Sequence, residues 1–300
     1  KSLKKAARQT VSPELEKRIQ IIIETSLIDL ENDFKIYWKG SPIARLLSGR
    51  DYLNPNIELI VDDILEKNQS QKLLEFLENW LKNKINITLK SLIDLKNLKE
   101  KNSSMKALAY QLYENNGVLK REQVSEYLKK LGQNERKILR DLGVKFGRYH
   151  VFLHRLIKPD AVSLRTLLWK NYNQKNFTLK PPTFGLNFID NNKVKDKNFM
   201  LLCGFEKFNN FYVRIDILER LFMQIINSEK EIKMVPEMLN LLGCSKDNFK
   251  KLLKKMGYRI TEKETEIFFK YIPSRNNKKI YDKKTSKESP FGILKNLNLN

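Results

Sequence analysis

The chain has 300 residues, 41% of them hydrophobic and 31% charged, with 57 basic against 35 acidic side chains and a formal net charge of +22. This composition excludes a chain disordered throughout, and no apolar run approaches the roughly 20 residues that cross a bilayer. Two cysteines, Cys203 and Cys244, cannot build a disulfide framework, and nothing near Lys1 reads as a signal peptide, so a cytoplasmic protein is expected.

The length suggests about two domains, and a first residue of Lys1 rather than Met suggests a piece of something longer. A field of this sign draws polyanions. Residues 1–150 carry 28 basic and 20 acidic groups and residues 151–300 carry 29 and 15, so the excess is larger in the second half. With 43 Lys to 14 Arg and 29 Asn, an AT-rich genome would push composition the same way, so the position of the charges has to decide.

In chain order, residues 1–30 read as a linker and an entry helix. Residues 1–12 are basic without an apolar face, and Ser12-Pro13-Glu14 is a helix start followed by Leu15, Ile19, Ile22 and Ile23 on one face. Residues 31–173 read as a helical domain with a hairpin near its start, formed by 34–38 and 43–47 around Lys39–Pro42. From Ile57 to Asn173 the 3–4 spacing of Leu73, Leu77, Leu81, Leu92, Leu108, Leu112 and Leu128 predicts an antiparallel bundle. A less regular piece, GVKFGRYHVFLHRLIKPDA (143–161), precedes a helix capped by Asp160. Residues 174–199, with Pro181-Pro182 and several Asn, read as a linker between domains. Residues 274–300 hold 7 basic and 2 acidic groups and read as a disordered tail.

The most interpretable stretch is 200–273. A short strand at 211–215 leads to a helix carrying Leu218, Leu221, Phe222, Ile225 and Ile226, then PEMLNLLG, then the turn Gly243-Cys244-Ser245, then KDNFKKLLKKMG, then a hairpin turning at 261–265. That order predicts a winged-helix domain, so the fold class is mainly α: a helical bundle with a small β-hairpin, followed by an α+β winged helix. In helix-turn-helix modules the helix after the tight turn offers its exposed face to nucleic acid. Here Phe249, Leu252, Leu253 and Met256 form the inner stripe. Lys246, Lys250, Lys251, Lys254 and Lys255, with Arg259 at the start of the hairpin, form a basic face opposed by Asp247. Lysine contacts phosphate well and reads bases poorly, which predicts backbone binding with weak sequence preference.

Catalytic signatures are missing. GxxxxGK[ST], GxGxxG and GxSxG do not occur, so no catalytic residue is assigned. His150 and His154 stand four apart without the Glu of a metalloprotease helix, and neither cysteine has a nearby partner, so no metal site or cofactor is assigned to this chain. Alternation at 150–154 predicts a strand with both histidines on one face. Arg148 and His150 are second candidates for nucleic-acid contact.

Three strings, GVKFGRYHVFLHRLIKPDAVSLRTLLW (143–169), YWKGSPIARLL (37–47) and MLNLLGCSKDNFKKLLKKMGYR (238–259), resemble in content and order the non-motor C-terminal region of alphaproteobacterial superfamily 2 helicases related to the mitochondrial degradosome helicase. At His154 this chain departs from the proline that pattern would hold. The resemblance implies two RecA-like motor domains upstream of Lys1, in cis, driven by ATP and magnesium on RNA or DNA, with a nuclease as a docking partner. It assigns this chain the accessory, strand-gripping role. The competing readings are a free-standing winged-helix binding protein, which predicts a start codon close to Lys1, and a protein-docking scaffold, which predicts an exposed apolar patch.

Overall fold

The computed structural model describes residues 2–60, 65–99, 102–174, 179–190, 196–225, 231–263 and 266–272, with side chains from Val11 onward. The tail 274–300 and Ile226 lie outside them. The described chain is mainly α, with four small antiparallel sheets.

Helix α1 (Ser2–Thr25) contains Pro13, so it begins ten residues before the expected start. The Ser12 hydroxyl and carbonyl both accept from the Gln69 amide at 3.1 Å, so this serine is a tertiary contact and not a cap. Strands β1 (Ile28–Leu30), β2 (Lys35–Trp38), β3 (Ser41–Leu47) and β4 (Asn56–Leu59) form a meander in that order. The expected hairpin is β2–β3, turned at Lys39 and Gly40, both with positive φ, as a two-residue hairpin requires. It is the middle of a four-stranded sheet, where the sequence suggested a hairpin alone. Ile36 and Ala44 are paired across β2 and β3 and fully buried.

Helices α2 (Lys67–Thr88), α3 (Lys90–Lys96) and α4 (Ser103–Glu114) follow the predicted spacing, burying Leu73, Leu77, Leu81, Leu92 and Leu108. The bundle is then interrupted. Strand β5 (Val118–Lys120), helices α5 (Ser125–Lys130) and α6 (Gln133–Asp141), and strands β6 (Val144–Phe146) and β7 (His150–Leu153) give a three-stranded sheet of order β5-β7-β6. Only His150 of the two histidines lies in β7; His154 opens a tight helical turn, His154–Ile157, so the predicted strand is one residue shorter. Helix α7 (Pro159–Tyr172) begins with Pro159 at its first turn, and Asp160 pairs with Arg155 where a cap was expected.

Arg165 of α7 has no exposed surface. Its guanidinium donates to the carbonyls of Asn116 (2.6 Å), Leu156 (3.0 Å) and Leu202. Burial lowers its pKa to about 10.

Residues 174–199 are not a plain linker. They contain β8 (Phe188–Asp190) and the start of α8 (Lys197–Leu202); β8 pairs with β10 (Phe211–Arg214), whose other neighbour is β9 (Phe205–Phe208). Phe188 stacks on Phe211 at 4.9 Å, a contact that the surrounding Pro and Asn conceal in the sequence. Helix α9 (Ile215–Ile225), strand β11 (Ile232–Lys233), helices α10 (Pro236–Leu242) and α11 (Lys246–Lys255), and strands β12 (Tyr258–Lys263) and β13 (Glu266–Tyr271) complete the chain. Two compact units result. One comprises residues 1–227 and 235–245; the other comprises 228–234 and 246–300, whose described part is α11 with the sheet β11-β13-β12. The expected boundary at 174–199 therefore gives way to one that cuts the 200–273 segment.

Candidate nucleic-acid interface

Helix α11 is amphipathic by spacing. Phe249, Leu252 and Leu253 are fully buried. Phe249 meets Phe269 of β13 edge-on at 6.1 Å, and Tyr258 of β12 meets the same ring at 5.8 Å. These contacts fix which side of the helix faces out. Asp247 in the first turn and Lys254 and Lys255 in the last suit the helix dipole.

On the outer side Lys246, Lys250 and Lys254 form one i, i+4 row, and Lys251 and Lys255 form a second. Lys246, Lys251, Lys254 and Lys255 are exposed, and among the described residues none is in a close ion pair, although Lys254 is near enough to Glu262 to help lower its pKa. Lys251 reaches the Asn248 amide oxygen at 3.5 Å. Lys250 differs: it is half-buried and lies 2.8 Å from Glu262 of β12. That hydrogen bond raises the Lys250 pKa and lowers that of Glu262, so both stay charged at neutral pH and this lysine is partly neutralised.

Arg259 does not join this row. The β12–β13 register places Tyr258, Ile260 and Glu262 opposite Tyr271, Phe269 and Ile267, on the face that carries the α11 contacts. Arg259, Thr261 and Lys263 alternate onto the other face. There Arg259 stands directly opposite Lys270, and both are exposed. Like charges in such a pair repel. Further along this face the charges are matched: Lys263 lies 2.8 Å from Glu231, and Lys233 pairs with Glu266. Lys270 was missed in the sequence, although the alternation of 266–271 carries the signal.

Arg148 and His150 belong to a different arrangement, within residues 1–227. Glu219 of α9 accepts the backbone N–H groups of Arg148, Tyr149 (3.0 Å) and His150 (2.7 Å), and the His150 Nδ1 lies 3.0 Å from the same carboxylate. The His150 Nε2 faces Glu206 at 3.5 Å, and Lys120 reaches Glu206 at 2.9 Å. Arg121 donates to the Gly147 carbonyl at 2.7 Å. A Cβ on Gly147 would overlap the Glu219 carboxyl, which accounts for a glycine at that position. His150, Glu206 and Glu219 are 3%, 5% and 5% exposed. Burial pulls the His150 pKa down, but Glu206 and Glu219 outweigh it and hold it above the usual imidazole value. Burial raises Glu206, while His150 and Lys120 outweigh that and keep it low. His150 is therefore enclosed by protein carboxylates, which corrects its expected role as a surface contact. The Arg148 side chain is exposed, with its backbone fixed by Glu219.

The cysteines are free, and burial raises Cys203 to about 12 and Cys244 to about 11, so both are protonated thiols at neutral pH. Among the described residues no group of three or more His, Cys, Asp or Glu is arranged to hold a metal ion, and no helix is long and apolar enough to cross a membrane. Compared with known proteins, the chain matches no family model, no curated protein and no solved structure.

Proposed function

We propose that α11 grips the phosphate backbone of RNA or DNA, as the accessory nucleic-acid-binding part of an ATP-dependent helicase. The observation that carries it is the double row of lysines on α11, four of them exposed and outside any close ion pair among the described residues. A helix turned this way offers point charges to phosphates and little that reads bases. The order helix, short strand, helix, tight turn, helix, hairpin supports a winged-helix reading of α9 to β13. Gly243, with φ of +69°, supplies the left-handed residue that such a turn needs. The helicase assignment rests on the three resembling strings, with motor domains in cis supplying ATP and magnesium chemistry and a nuclease as a partner.

The test is binding of the full chain to fluorescent single-stranded and duplex oligonucleotides over a salt series. Each phosphate contact contributes a log–log salt slope of about 0.7 on single strands and about 0.9 on duplex. Changing Lys246, Lys251, Lys254 and Lys255 to Glu spares the Lys250–Glu262 pair and should reduce both affinity and slope. Unchanged affinity and slope would overturn the reading.

A further inference from the structure

A cleft of about 440 Å³ lies between the loop that joins β3 to β4 and the helices α2 and α3. That is within the size range of small-molecule sites. Its floor is apolar, formed by Leu53, Leu81 and Ile85, all buried. Its walls carry four amides, Asn54, Asn56, Asn86 and Asn97, and its rim carries three cations, Arg50, Lys82 and Lys96, against one acid, Glu78.

The polar groups are only partly used by the protein. Among the described residues Arg50 and Lys82 have no acidic partner, and the side chains of Asn86 and Asn97 make no hydrogen bond. Lys96 is held 3.9 Å from Asp51 and 5.1 Å over the Tyr113 ring. The Asn54 amide nitrogen donates to both Asp51 oxygens, at 2.8 and 2.9 Å, which leaves its amide oxygen to accept.

The loop is also fixed in advance. Asp51 accepts the Leu53 N–H at 2.9 Å, and Asn56 donates to the Ser48 carbonyl at 3.4 Å. A Cβ on Gly49 would overlap the Asn54 carbonyl, so the turn closes only with glycine there. Arg50 and Asn54 are thus presented on a braced loop, which lowers the ordering cost of binding.

We infer that this cleft binds a nucleoside phosphate. An apolar floor suits a base face, paired amides suit the donor and acceptor edge of a base, and unpaired cations suit phosphate. An apolar ligand would leave the amides and cations idle, and a dianion without a base would leave the floor and amides idle. The inference stands apart from the reading of α11, because the cleft lies wholly within residues 50–97.

The test is calorimetric titration of the full chain with AMP, with a short oligoadenylate and with inorganic phosphate. Two double variants, Arg50→Glu with Lys82→Glu and Asn86→Ala with Asn97→Ala, alter exposed side chains and should keep the melting temperature. Both should weaken AMP or the oligoadenylate by about tenfold, the effect of one good polar contact set. Loss of free AMP binding assigns the cleft to a free nucleotide, and loss confined to the oligoadenylate assigns it to a residue within a strand. Phosphate binding as tightly as AMP, no binding of either nucleotide probe, or undiminished binding in the asparagine variant overturns the inference. Charge reversal on α11 should leave AMP binding intact, so the two readings fail separately.

Discussion

Around Glu219 the protein turns its polar groups inward. One carboxylate collects three backbone N–H groups and an imidazole, a second carboxylate faces the same imidazole, and all three side chains are buried. On α11 the opposite holds: lysines stand in water in two rows, and one of the five is tied to an acid among the described residues. Both regions are rich in basic residues: Lys120, Arg121, Arg148 and His150 surround the first, and five lysines line the second. The difference teaches that residue type does not decide the role of a charge. A buried, partnered charge is bound up with folding, whereas an exposed lysine outside any ion pair adds little to it.

Removing the central carboxylate should show this contrast at its largest. Glu219→Ala leaves three amides and His150 without their acceptor, and a broken buried pair costs about 3–5 kcal/mol. Urea denaturation would measure it, and a loss below about 1 kcal/mol would erase the distinction between the two regions. Gly147→Ala should cost less, about 1–3 kcal/mol, because the overlapped carboxyl is a side-chain end that can shift at the expense of its hydrogen bonds. An unchanged midpoint would show that the close approach is relaxed in solution.

The pH dependence sharpens the same contrast. His150 has a raised folded pKa, so its contribution is fully present below the unfolded value near 6.5 and is lost as pH rises through the folded one. Glu206 has a lowered folded pKa, so its contribution is present above its unfolded value and is lost as pH falls through the folded one. Stability followed against pH should therefore fall on the alkaline side in the wild type, and His150→Gln should lack that fall. An identical alkaline limb in both would remove His150 from the tie. The smallest stability effect belongs to α11. Changing Lys246, Lys251, Lys254 and Lys255 to Gln should leave the melting temperature unmoved while lowering the salt slope of nucleic-acid binding, and a clear drop in melting temperature would show these lysines to be structural.

Legibility in the sequence followed range. The face of α11 is written in the 3–4 spacing of Phe249, Leu252 and Leu253, and the β2–β3 hairpin in a short alternation around Lys39-Gly40; both are local patterns. Strands β5 and β6 are three residues long, too short for alternation to stand out from the helices around them, whereas β7 was read from the alternation at 150–154. The partner of His150 is Glu219, 69 residues away, and no spacing rule connects them. That is why Arg148 and His150 read as candidates for nucleic-acid contact when GVKFGRYH closes on a buried acid. Arg259 was grouped with the α11 lysines by closeness in sequence. Its neighbours Tyr258 and Ile260 already signalled the opposite face of the sheet.

The carbonyls gathered by Arg165 come from the turn after α4, the turn before α7 and the end of α8. A guanidinium in that position acts much as a bound cation would in a cage of oxygens, except that it is carried by the chain itself. None of the three segments can open without stranding the cation, so they should open together. In native-state hydrogen exchange the protected amides of these segments should then share one opening free energy and behave as a single cooperative unit, although their residues span 116 to 202.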